Sequence, residues 1–110
     1  MSFQRVYHEA EFTREDLDAM TGPVVVEFGA NWCGICGGFT PQAEKAFAGF
    51  DDVRHLRVED GPGKRLGRSF KVKLWPTFVF MRDGQVVQLS VRPDRAEVEQ
   101  GLRAITAPAS

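Results

Sequence analysis

The run Val24-Val-Val-Glu-Phe28 sets the tightest limit on how this chain can fold. It is β-branched and apolar apart from Glu27, so it offers no polar face to water. It reads as a fully buried central strand. The elements around it provide the cover such a strand needs. Thr13 and Asp16 have the spacing of a capping box and open a helix carrying Leu17 and Met20, which Thr21-Gly-Pro23 ends. Past Gly29 to Cys36, the residues Phe39, Ala43, Ala46, Phe47 and Phe50 recur at helical spacing. They predict a helix from about Cys33 to Ala48, with Pro41 inside it as a source of a kink.

Residues 53–59 have strand composition and lead into the turn Asp60-Gly-Pro-Gly63. A short helix within 64–71 would carry Leu66 and Phe70. Thr77-Phe-Val-Phe-Met81 is a strand, Arg82-Asp-Gly-Gln85 a hairpin signal, and Val86-Val-Gln-Leu89 the partner strand. Asp94, with Glu97 three residues on, caps a last helix bearing Val98, Leu102 and Ile105. With Arg5-Val-Tyr-His8 as a short first strand, the order is βαβαβαββα. That order gives an α/β sheet with helices on both faces, and the tail 107–110 is expected to fray.

The length of 110 residues and 43% hydrophobic content allow one domain, residues 1–110, with a real core. A formal net charge of −1, with the charges scattered, gives no electrostatic basis for binding nucleic acid or an anionic membrane. No apolar run approaches the roughly 20 residues of a transmembrane helix. The first residues lack the apolar core of a signal peptide, so the expected location is the cytoplasm.

Two cysteines, Cys33 and Cys36, stand three positions apart. A bridge between them closes almost no loop and stabilises little, which invites a chemical explanation. They lie where a buried strand hands over to a helix, the position at which open α/β sheets place their reactive sites. The free amides and dipole of the first helical turn favour the anionic form of a thiol placed there. Cys33, at the helix start, is therefore the expected attacking nucleophile, and Cys36, one turn further in, the resolving one. Zinc binding by the pair with His8 or His55 is disfavoured, because structural sites want four ligands and often two paired sets.

Three blocks carry a resemblance to the thioredoxin family: Trp32-Cys-Gly-Ile-Cys36, the helix proline Pro41, and Pro76-Thr-Phe-Val-Phe-Met-Arg-Asp-Gly84. The similarity spans residues 5–106 or so. It implies a thioredoxin fold, a central mixed β-sheet with helices on both faces, and thiol–disulfide oxidoreductase chemistry directed at protein disulfides. It also implies a cis peptide bond before Pro76, with the preceding backbone pairing with a bound substrate chain. By the same resemblance Trp32, Gly34, Ile35, Trp75, Pro76 and Arg92 form the substrate-binding surface. No metal or cofactor is needed beyond the Cys33–Cys36 disulfide itself. The implied partners are client proteins carrying disulfides and a thioredoxin reductase or another thiol reductant, with the chain acting as a monomer.

Glu27 occupies the position of the family's buried Asp, a proton acceptor for the second cysteine. Burial raises a carboxyl pKa toward a usable base, and Glu27→Gln is expected to raise stability by removing a desolvated acid. His55 falls where the family has a Lys partner for that acid; it either pairs with Glu27 or points elsewhere.

The chain also departs from the family. Ile35 replaces a proline and should move the reduction potential in the oxidising direction. Gly37 and Gly38 soften the helix start by roughly 1 kcal/mol each relative to Ala. Gly29 stands where many relatives have Trp, Trp75 where Ile is common, and Arg92 where Gly is frequent. Gly37, Trp75 and Arg92 keep a second function open, that of a redox-independent binding module using the thioredoxin surface.

Overall fold

A computed structural model describes residues 3–107. Its elements are α1 (Arg14–Asp18), β1 (Pro23–Gly29), α2 (Gly34–Phe47), β2 (Arg54–Glu59), α3 (Arg65–Ser69), β3 (Thr77–Arg82), β4 (Gln85–Val91) and α4 (Arg95–Thr106). The four strands form one mixed sheet in the order β2-β1-β3-β4. β1 runs parallel to β2 and antiparallel to β3, and β3 and β4 form an antiparallel hairpin.

The central place of β1 follows from its composition. Residues 24–29 are all buried, and alternate side chains feed two separate cores. Val24, Val26 and Phe28 join Leu17, Leu66 and Phe70 on the α1/α3 face. Val25 joins Ala43, Phe47, Val98, Leu102 and Ile105 on the α2/α4 face. Glu27 is on that second face by the same alternation, and β1 sends it into the protein with no exposed surface.

The local signals act as their chemistry dictates. Thr13 and Asp16 complete a reciprocal capping box, and Asp94 accepts from the Glu97 amide at the start of α4. The helix α1 stops at Asp18, two residues short of Met20, which still packs on the α1/α3 core. In the hairpin, Asp83 and Gly84 both take positive φ, 51° and 77°, the mirror-image turn that matches strand twist. Pro41 lies inside α2, which runs unbroken from 34 to 47.

The expected strand at Arg5–His8 does not form. Only His8 bridges to Val58, through His8 N–H to the Arg57 carbonyl and Glu59 N–H to the His8 carbonyl. The backbone of the preceding residue is taken by a side chain instead. Tyr7 N–H donates to Asn31 Oδ1 at 2.8 Å, and Asn31 Nδ2 donates back to the Tyr7 carbonyl at 3.0 Å. An amide side chain has thus replaced one rung of a strand ladder, leaving the segment beside the sheet edge rather than in it.

Candidate active site

The carboxyl end of β1 delivers the cysteine motif directly to the start of α2. Cys33 is the N-cap residue, with extended backbone angles, and its Sγ accepts the Cys36 amide at 3.2 Å. A thiol here does the work usually given to Ser or Asp: it satisfies an amide that the first helical turn leaves free. Cys33 is half-buried, whereas Cys36 keeps only 1% of its surface. Both are free thiols. Burial pushes the Cys36 thiol up to about 11, so it is protonated at neutral pH. Gly34 and Ile35 between them face solvent, Ile35 with half its surface exposed.

Below the cysteines lies a buried polar cluster centred on Glu27. The parallel register pairs Glu27 with Arg57 and Val25 with His55, so residues 55 and 57 of β2 point to the same face as Glu27. Arg57 reaches Glu27 Oε2 with Nε at 3.0 Å and Nη2 at 2.8 Å. The Tyr7 hydroxyl donates to the same oxygen at 2.5 Å. His55 Nε2 lies 2.9 Å from Glu27 Oε1. The other ring nitrogen, Nδ1, accepts the Gln4 backbone N–H at 2.8 Å, so the proton of a neutral His55 sits on Nε2, which donates to Glu27.

His55 therefore does pair with Glu27. The premise of a raised glutamate pKa fails, however. Burial pushes the carboxyl up, but the hydrogen bond from His55 and the charge and hydrogen bonds of Arg57 outweigh it, and Glu27 sits below its ordinary range. Glu27 is a fixed carboxylate with a dedicated cation, not an acid poised to titrate near pH 7.

Arg57 and Tyr7 were not singled out from the sequence. The signal for Arg57 was its place two residues after His55 on one strand, which puts both on one face. Arg57 also extends the cluster to the helix: its Nη2 donates to Thr40 Oγ1 at 2.8 Å, and Thr40 donates to the Cys36 carbonyl at 2.8 Å. Its guanidinium covers the Tyr7 ring at 4.2 Å.

Of the substrate-binding residues expected from the resemblance, Trp32, Trp75, Pro76 and Arg92 are joined by direct contacts. The Trp75–Pro76 peptide bond is cis. Trp32, with 76% of its surface exposed, sets its ring edge-on against Trp75 at 5.4 Å. That contact joins the cysteine motif to the cis-proline segment. Trp75 is held from the other side by Nε1 donating to Asp60 at 2.9 Å. Arg92 has φ +46°, a left-handed conformation that glycine adopts more cheaply. Its amide donates to the Pro76 carbonyl and its Nε to the Trp75 carbonyl, both at 2.8 Å. Arg92 and Trp75 are thus bonded directly to one another. Among the described residues, no group of three or more His, Cys, Asp or Glu side chains is placed to hold a metal ion.

Comparison with known proteins agrees with this geometry. A sequence model described as Thioredoxin matches residues 4–104. The fold is similar to thioredoxin 2 from Pseudomonas aeruginosa PAO1 in its reduced form, at 46% identity over 94% of this chain and 96% of that one, with a TM-score of 0.81. In sequence the chain is similar to thioredoxin Asp f 28 of Aspergillus fumigatus, 31% identical over 79% of this chain and 82% of the relative. It is 32% identical to thioredoxin H2-1 of Oryza sativa subsp. japonica over 79% of this chain and 63% of the relative.

The cluster reverses the expected effect of Glu27→Gln on stability. Removing the carboxylate leaves Arg57 buried without its counter-ion, a change that costs about 3–5 kcal/mol. Urea unfolding at pH 7 should show that loss. The carboxyl's folded pKa lies below its unfolded one, so its stabilisation is complete above the ordinary glutamate pKa of about 4.3 and disappears as pH falls through the folded value. The midpoint for the unaltered chain should drop on acidification below that point, and Glu27→Gln should lack this part of the drop.

Proposed function

The chain belongs to the thioredoxin family of thiol–disulfide oxidoreductases, and on that premise we propose that it reduces protein disulfides, with Cys33 attacking and Cys36 resolving. The observation that carries the assignment is the unequal setting of the two sulfurs. Cys33 Sγ lies at the open end of α2 and accepts an amide hydrogen bond there, while Cys36 is enclosed and held protonated by burial. A half-buried sulfur hydrogen-bonded at a helix start suits attack on an incoming disulfide. An enclosed one suits attack on its neighbour a single turn away.

In the first step the Cys33 sulfur bonds to one client sulfur, and the client's S–S bond breaks. The second client sulfur leaves with the electron pair and takes up a proton. In the second step Cys36 attacks Cys33, and the first client sulfur leaves as a thiol. The client is reduced and the Cys33–Cys36 pair oxidised, to be returned to the dithiol by a thioredoxin reductase or another thiol reductant. Such a cycle suits a monomer in a reducing compartment such as the cytoplasm. No helix among the described residues is long and apolar enough to cross a membrane.

Glu27 enters this reading as the charge that orders the floor of the site. Trp32, Gly34, Ile35, Trp75, Pro76 and Arg92 enter as the surface that meets the client. Support for the surface comes from the exposed Trp32 ring on Trp75 and from Arg92, whose Nε occupies the carbonyl before the cis proline. A client strand pairing with that backbone has to share or displace this hydrogen bond.

The roles of the cysteines are tested by trapping. Cys36→Ser should accumulate client proteins as stable mixed disulfides, Cys33→Ser should not, and alkylation of the dithiol at neutral pH should mark Cys33 first. Equal trapping by both variants would sink the assignment. The client surface is tested with Trp75→Ile combined with Arg92→Gly. Capture of native clients should weaken by about 1–3 kcal/mol if either residue is a hot spot. Insulin reduction should hold or improve, because an obstruction has gone. An unchanged client profile together with an unchanged insulin rate would show these residues to be incidental.

A further inference from the structure

Gly29 is the one residue of β1 with no side chain to contribute to either core, and the space beside it is filled from elsewhere. A Cβ placed at Gly29 would lie 2.6 Å from Tyr7 Cζ, 2.7 Å from the Tyr7 hydroxyl oxygen and 2.8 Å from Cys36 Sγ. The phenol and the thiol therefore meet over bare backbone, in a space where any other residue would collide with both. The Asn31 side chain clamps the Tyr7 backbone on both its N–H and its carbonyl, and Arg57 covers the ring. The hydroxyl is thus held at a fixed point, between Glu27 Oε2 at 2.5 Å and the resolving sulfur.

We propose that Tyr7 is a catalytic residue of the second step, the hydrogen-bond donor that stabilises the Cys36 sulfur as it becomes a nucleophile. This rests on the reading that Cys36 resolves the mixed disulfide. In the dithiol, a carboxylate can only accept, so the hydroxyl proton points to Glu27 and the phenol oxygen is left to accept from the Cys36 thiol. As Cys36 gives up its proton, the hydroxyl turns and donates to Sγ. Glu27 can release it because Arg57 and His55 still supply three donors.

The atoms balance within the disulfide exchange itself. The Cys36 S–H bond breaks, the Cys36–Cys33 S–S bond forms and the Cys33–client S–S bond breaks. The client sulfur leaves with the electron pair and ends with the proton. The Cys36 sulfur is oxidised and the client sulfur reduced, while the Cys33 sulfur passes from one disulfide to the other unchanged, with no other reactant.

Glu27 is the anchor in this arrangement rather than the base. Its carboxyl is held below the ordinary range, which makes it a poor proton acceptor. Burial and the adjacent carboxylate hold the Tyr7 phenol far above its ordinary value, so it stays protonated and serves as a donor. For Cys36, burial is the main influence pushing the thiol up, and the Tyr7 hydroxyl is among the groups opposing it.

The test separates the two steps with an aromatic disulfide reagent whose released thiolate is coloured. The first thiolate reports attack by Cys33 and the second reports resolution by Cys36. Tyr7→Phe keeps the ring and removes only the hydroxyl. The first release should be unchanged, and the second should slow by about tenfold, the effect of one hydrogen bond to a charged group. In a Cys33→Ser background, Tyr7→Phe should raise the pH midpoint of Cys36 alkylation by about one unit. Gly29→Ala, which leaves the hydroxyl in the chain but drives it off the sulfur, should give the same selective slowing. An unchanged second release, or equal slowing of both steps, overturns the proposal. Cys33→Ser should release its single thiolate far more slowly than the first release of the unaltered chain. Release as fast as that first step would instead overturn the division of Cys33 as attacking and Cys36 as resolving, whatever Tyr7→Phe does.

Discussion

The buried ion pair between Glu27 and Arg57 is the interaction on which the rest of the site depends. Neither charge has access to water: their side chains are 0% and 1% exposed. An isolated buried charge costs several kcal/mol, so each is tolerable only while the other is in place and the remaining lone pairs are occupied. They are occupied by Tyr7, by His55 and, through Arg57, by Thr40 and the Arg5 carbonyl. No buried side-chain nitrogen or oxygen among the described residues lacks a partner. The cluster consequently fixes four pieces of chain at once: β1, β2, the N-terminal segment and the first turns of α2.

That last connection turns a structural device into a chemical one. Thr40 carries the Arg57 interaction to the Cys36 carbonyl, and the Tyr7 hydroxyl, bonded to Glu27, lies on the same side of Gly29 as the Cys36 sulfur. The backbone of Cys36 is therefore held, and its side chain neighboured, by groups that answer to one ion pair. Cys33, by contrast, meets the cluster through the helix it caps, and the residue before it, Trp32, carries the exposed ring that packs on Trp75. The division of labour between the two sulfurs follows from which layer of the fold each belongs to.

Much of this was legible in the residues. The apolar run around Glu27, the cysteine spacing at a strand-to-helix junction, the Thr13 and Asp94 caps and the Asp-Gly hairpin are local signals, and each acts locally as its chemistry requires. What escaped depends on register. Arg57 becomes a partner of Glu27 only once β1 and β2 pair in parallel with those two residues opposite. Tyr7 was read as part of a strand because Arg5-Val-Tyr-His8 suits one; that Asn31 would take its backbone is a tertiary fact with no local mark. The glutamate pKa was misjudged for the same reason, since burial was visible in the sequence and the two Arg57 donors were not. Gly29 was visible as a missing Trp, but only the position of Tyr7 shows what fills the gap. Arg92 was visible as a missing Gly, and its positive φ shows why Gly is the easier residue there.

The account holds that this cluster serves a chain that gives electrons to disulfides rather than taking them from thiols. The reduction potential of the Cys33–Cys36 pair, measured by equilibration with glutathione redox buffers, tests that most directly. Reducing dithiols of this kind lie near about −270 mV, while strong oxidants lie near about −120 mV. With Ile35 between the cysteines, the account predicts a value shifted modestly toward oxidation, within about −220 to −270 mV. A value near the strong oxidants would contradict it, and would make the chain a donor of disulfides.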